Sequence, residues 1–126
     1  MEAEKNKTTL IAGATPDPTR YAYTAAVFLD RAHIPFIPIS IKNGTVLGKD
    51  ILPLGNKPAL QGIHTITLYL NAGNQQEWED YFLSLAPQRI IFNPGAENPS
   101  LKERAEKQGI ECINGCTLVM VSSGQY

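Results

Sequence analysis

Five short apolar runs, each followed closely by glycine or asparagine and separated by stretches of helical length, constrain this chain more than any other feature. Residues 8–12 (TTLIA) end at Gly13 and have the unbroken apolar, β-branched character of a strand buried on both faces. Residues 34–41 (IPFIPISI) alternate, and their two prolines argue against helix while allowing an outer strand. Residues 65–70 (TITLYL), 89–92 (RIIF) and 110–113 (IECI) complete the set. Between them, residues 20–32 set Tyr23, Ala26 and Val27 against Asp30 and Arg31, as an amphipathic helix does. Asn74 followed by Glu77 has the spacing of a capped helix start, and Pro87 stops that helix. Asn98-Pro99 opens another, which Gly109 ends, and a last helix is expected over residues 116–121. Residues 43–62, with four glycines and two prolines, read as an irregular crossover with room for one short helical or extended piece over Gly48 to Leu52.

Strand, helix and strand repeating at this spacing imply a parallel sheet with helices on both faces. The expectation is an α/β chain: a single Rossmann-like domain over residues 8–126, a five-stranded parallel sheet of order 3-2-1-4-5, and a flexible arm over residues 1–7. Strand order then reverses between strands one and four, which puts a ligand crevice above Gly13 and Asn93.

Charge and composition narrow the partners. A formal charge of −1 over 126 residues gives no overall basic field to attract nucleic acid or an anionic membrane. No apolar run approaches the roughly 20 residues of a membrane span, and MEAEKNKTTL has no apolar signal core, so a cytoplasmic protein is expected. Cys112 and Cys116 would close too small a loop for a useful disulfide, and without a second pair they do not form a zinc site. Both are read as reduced thiols.

The strongest local signal for chemistry is the loop Gly13-Ala14-Thr15-Pro16-Asp17-Pro18-Thr19-Arg20-Tyr21, between a buried strand and a helix start. Free backbone N–H groups and the positive end of a helix dipole favour a phosphate there, and Arg20 adds a charge-assisted donor. An ordinary βα turn, with Asp17 or Thr19 as cap and Pro18 early in the helix, accounts for the same residues. Neither a G-x-G-x-x-G pattern nor a phosphate-loop lysine is complete. At the end of strand two, where an NAD site holds the ribose with a carboxylate, stand Ser40 and Lys42. That pair suits a phosphorylated ribose, which favours coenzyme A, with NADP or NAD less favoured; a solvated loop lysine is the plainer reading of Lys42.

These residues, in their order and spacing, resemble the small stand-alone coenzyme A-binding domains, which are similar to the amino-terminal domain of the succinyl-CoA ligase alpha subunit. The resemblance runs from about Thr9 to Met120. It is carried by Ile11-Ala12-Gly13-Ala14-Thr15 with Tyr21, by Phe36-Ile37-Pro38-Ile39, by Gly48, by Asn93-Pro94-Gly95-Ala96-Glu97-Asn98, by Gly109 and by Cys116. It implies that the loop from Gly13 to Arg20 meets the coenzyme phosphates and that Ser40 and Lys42 meet the adenosine. It implies further that Leu70, Asn71 and the loop from Asn93 to Asn98 line the pantetheine side.

No catalytic constellation accompanies this crevice. His33 and His64 fall at the opposite end of the sheet, and Glu97 is one carboxylate without a partner. The expectation is a module that binds coenzyme A or an acyl-CoA. The alternatives are a dinucleotide-using oxidoreductase, an acyl-transfer protein acting through Cys116, or a scaffold that works through a protein partner or as a homo-oligomer.

Overall fold

A computed structural model describes residues 7–126. The expected arm over residues 1–7 therefore lies, apart from Lys7, outside the described residues. The elements are β1 (Thr9–Ala12), α1 (Tyr21–Arg31), β2 (Phe36–Ser40), β3 (Thr45–Val46), β4 (Lys49–Asp50), β5 (Leu52–Pro53), β6 (Thr65–Leu68), α2 (Ala72–Gln75), α3 (Glu79–Ser84), β7 (Arg89–Phe92), α4 (Pro99–Lys107), β8 (Glu111–Asn114) and α5 (Thr117–Ser122).

Six strands form one parallel sheet in the order β5-β2-β1-β6-β7-β8. β1 sits at its centre with all four residues buried. Its side chains alternate between two cores as the pleat requires. Leu10 and Ala12 join Trp78, Phe82, Leu101 and Ala105 on one face, whereas Ile11 joins Ala22, Ala26 and Leu29 of α1 on the other. Val121 of α5 packs against this second core. Thus α1 and α5 cover one face and the 72–84 and α4 segments the other, so the α/β, Rossmann-like class holds.

Two sheet details differ from expectation. The sheet has six strands, not five, because Leu52 and Pro53 add an edge strand beside Ile39 and Ser40. Two residues, one of them proline, carry no periodicity by which a strand is recognised. This added strand takes the third place, and the strand expected there, Thr65–Leu68, pairs with β1 instead. The reversal of strand order therefore falls between β1 and β6. The crevice opens above Gly13 and the Tyr69–Asn71 segment, with Asn93 and the residues after it also in its walls. Pro38 stands outside the short β5 ladder, so its missing N–H is tolerated within β2.

Helix boundaries follow local chemistry with one shift. Asn98 caps α4 by accepting from the Leu101 N–H at 3.1 Å, Pro99 takes the first turn, and Gly109 follows with φ +82°. The cap of α2 is Asn71, whose side chain accepts from the Asn74 N–H at 2.8 Å; the expected cap, Asn74, is the donor. A 3-10 turn at Gln76–Trp78 then separates α2 from α3. Among the described residues no helix is long and apolar enough to cross a membrane.

Candidate functional site

The crevice is built by five segments that leave the carboxyl ends of β1, β2, β6, β7 and β8. The first begins at Gly13, with φ +95°. A Cβ there would lie 3.0 Å from the Tyr69 carbonyl carbon and 3.1 Å from its oxygen, so the β1 and β6 loops touch only because the residue is glycine. The Gly13 and Ala14 N–H groups both donate to the Ile39 carbonyl, at 2.9 and 3.1 Å. Thr15 is buried, and its hydroxyl accepts from the Asp17 N–H at 3.1 Å.

Asp17 and Thr19 do not cap α1. The Asp17 carboxylate accepts from the Thr19 N–H at 2.9 Å and from the Thr19 hydroxyl at 2.7 Å, closing a turn within the loop. Those bonds hold its pKa below the ordinary aspartate value, with Arg20 and Lys42 adding smaller contributions. The cap position belongs to Arg20, no side chain caps the helix, and Pro18 lies outside it. Tyr21 and Ala22, in the first turn, wall the crevice, and no side-chain oxygen caps this helix start.

Two adjoining cavities result. The first, about 270 Å³, is walled by Gly13, Thr15, Arg20, Tyr21, Ala22, Lys42, Tyr69, Asn71, Pro94, Gly95 and Ala96. The second, about 280 Å³, is walled by Tyr21, Tyr69, Asn93, Pro94, Cys116 and Leu118. Tyr21, Tyr69 and Pro94 belong to both. The first carries two cations, Arg20 and Lys42; the second is largely aromatic and aliphatic. Tyr21 is 76% exposed, an unusual position for an aromatic ring with nothing laid against it.

Other residues expected at the site do not wall it. Ala14 is buried in the core beneath, Pro16 packs near Gly44 on the outside, and Leu70 turns toward the main core. The Ser40 hydroxyl is buried and accepts from the Lys42 N–H at 3.1 Å, so it shapes the lysine loop from within. Glu97 accepts from the Gly95 N–H at 2.9 Å. Asn98 is enclosed behind the crevice, donating to Gln75 at 2.8 Å and to Glu79 at 2.9 Å. Ala22, Tyr69 and Leu118 wall the site without having been expected. Only Tyr69, at the end of the TITLYL run, carried a signal: the residue leaving a buried parallel strand faces the ligand end.

A buried polar network fixes the second cavity. Asn93 donates from Nδ2 to the Thr67 hydroxyl at 2.7 Å and the Leu68 carbonyl at 2.9 Å, and its Oδ1 accepts from the Thr117 N–H at 2.8 Å. The Thr67 and Thr117 hydroxyls bond at 2.7 Å. β6, β7 and the start of α5 are thereby locked together, which sets Cys116 and Leu118 in place. Burial keeps the Tyr69 phenol protonated far above the usual range. Both cysteines are free, and burial pushes the Cys112 thiol up to about 11, away from the site. His33 and His64 precede β2 and β6 at the far end of the sheet.

A doubly wound α/β protein with a crevice where its strand order reverses is the class that this fold and site define. The family described as CoA binding domain matches residues 7–122, and the chain belongs to that family. Among solved structures, one described as an uncharacterized protein is 50% identical, with TM-score 0.92 over 95% of this chain and 98% of that one. The fold is also that of Prb, a PH1109 protein redesigned for binding (17% identity, TM-score 0.83, 94% of this chain and 83% of that one). It is shared as well by a hypothetical protein from Pyrococcus horikoshii OT3 (19% identity, TM-score 0.79, 96% and 84%). A comparison with curated proteins finds no match.

Proposed function

We propose that this protein binds coenzyme A or an acyl-CoA, with the phosphates and adenosine in the first cavity and the pantetheine arm in the second. The observation that carries the reading is the pairing of the two cavities across Tyr21, Tyr69 and Pro94: cations at one end, an apolar slot at the other. Coenzyme A has the same division. Arg20 and the uncapped start of α1 meet the pyrophosphate, Gly13 lets the backbone approach it, and Lys42 meets the ribose phosphate. Tyr69, Asn93 and Pro94, with Cys116 and Leu118 at the far wall, flank the arm.

Thermal unfolding with coenzyme A, dephospho-coenzyme A, NADP and NAD tests this. A ligand at about 100 times its dissociation constant adds roughly 2.7 kcal/mol of stability. The expected result is a selective shift with coenzyme A; a shift with a dinucleotide alone moves the reading to an oxidoreductase, and no shift leaves a scaffold that acts through protein contacts.

One observation favours a second reading, that the module also accepts acyl groups: Cys116 stands in the wall of the second cavity. Its thiolate would attack the thioester carbonyl, the acyl group passing to the Cys116 sulfur as coenzyme A leaves as its thiolate. Thioester exchange lost in Cys116→Ser supports it, and unchanged exchange removes it.

A further inference from the structure

We infer that Gln75 is a positioning residue that sets the width of the crevice. It is fully buried at the end of α2. Its Nε2 donates to the Leu70 carbonyl at 2.7 Å and to the Ala96 carbonyl at 2.8 Å, while its Oε1 accepts from Asn98 Nδ2 at 2.8 Å. Leu70 belongs to the loop after β6 and Ala96 to the loop after β7. One amide nitrogen therefore clamps the two loops that carry Tyr69 and Asn71 on one side of the site and Pro94 and Gly95 on the other.

The chemistry demands a carboxamide. Two carbonyls need two hydrogens, and the Asn98 amide needs an acceptor; glutamine supplies all three from a single side chain. Glutamate at neutral pH presents only acceptors to two carbonyl oxygens, and methionine presents no donor. Either change leaves buried carbonyls unpaired, and the way for them to recover hydrogen bonds is for the loops to turn outward to water. The clamp has a firm base, because the same Asn98 Nδ2 also donates to Glu79 at 2.9 Å while Asn98 Oδ1 caps α4. Arg104 bonds the same Glu79 carboxylate at 3.2 Å, extending the base to the surface.

The ligand arm of the test rests on the coenzyme A reading; the loop arm does not. Gln75→Met is compared with Leu101→Val, a core change on α4 away from the crevice, at denaturant concentrations giving both the same residual stability. In Gln75→Met the Tyr69 and Ala96 amides, which donate to the Ala12 and Asn93 carbonyls, exchange with solvent about tenfold faster than in Leu101→Val, and the coenzyme A dissociation constant rises about tenfold. Equal exchange in the two variants, or equal affinity where the wild type binds, overturns the inference. If the wild type itself fails to bind coenzyme A, the ligand reading falls and the exchange comparison alone decides Gln75. Should Gln75→Met not fold, Gln75→Glu keeps the volume and the Asn98 acceptor and carries the same comparison.

Discussion

The Asp17 carboxylate is bonded to Thr19, its N–H at 2.9 Å and its hydroxyl at 2.7 Å, so the one acid in the loop from Gly13 to Arg20 is spent on the loop's own turn. It is fully exposed and held ionised below the usual aspartate pKa. Asp17→Asn keeps the turn and removes the charge. Affinity for coenzyme A is expected to rise roughly two- to fivefold at low salt and less at 0.5 M, since screening shortens the reach of a surface charge. Titration calorimetry at two ionic strengths checks this.

Arg20 and Lys42 are expected to separate by ligand. Arg20→Ala weakens coenzyme A and dephospho-coenzyme A alike, by roughly tenfold, because the pyrophosphate is common to both. Lys42→Ala weakens only coenzyme A. Equal losses for the two ligands in Lys42→Ala would mean that Lys42 does not read the ribose phosphate.

Gly13→Ala forces a side chain into φ +95° and against the Tyr69 carbonyl. Denaturant unfolding should show a loss of about 1–3 kcal/mol, together with loss of ligand binding, because the β1 and β6 loops must part.

Asn93→Ala removes three hydrogen bonds from the buried network behind Cys116. A loss of about 2–4 kcal/mol is expected, and faster labelling of Cys116 by a thiol reagent should accompany it as the start of α5 loosens.

His64 gives a pH dependence. Burial, with Arg89 and Lys7 adding to it, lowers its pKa below the ordinary 6.5. The neutral form is favoured on folding, so its contribution is full above pH 6.5 and declines as pH falls through the lowered folded value. His64→Gln should flatten the fall in unfolding midpoint below pH 6.5. An unchanged slope would assign the acid sensitivity to carboxylates.

What the sequence made legible was what local chemistry decides. Gly13, the Asn98-Pro99 helix start and the Gly109 stop announce themselves because each meets a backbone need within a few residues. The partner of β1 was not legible. Whether the chain crosses to one side of β1 or the other after residues 43–62 depends on β5, a two-residue strand that becomes visible only once β2 exists to pair with it. The site divides the same way. Arg20, Lys42, Asn71 and the 93–96 loop reach the crevice because they follow strand ends, whereas Ser40 and Asn98, polar residues at equally suggestive places, are used up in internal bonds. Gln75 gave no signal at all, since a glutamine on a short helix looks solvated until the loops on either side close over it.

The seam between β1 and β6 has a mechanical consequence. On one side of it lie Arg20 and Lys42, on the other Asn71 and Pro94, and β1 and β6 share a single parallel ladder across it. A molecule filling the crevice bolts the two halves of the sheet together at the end where that ladder stops. Pulled apart between positions 42 and 71, the loaded protein should yield at higher force than the empty one, while a pull confined to either half should not feel the occupant at all.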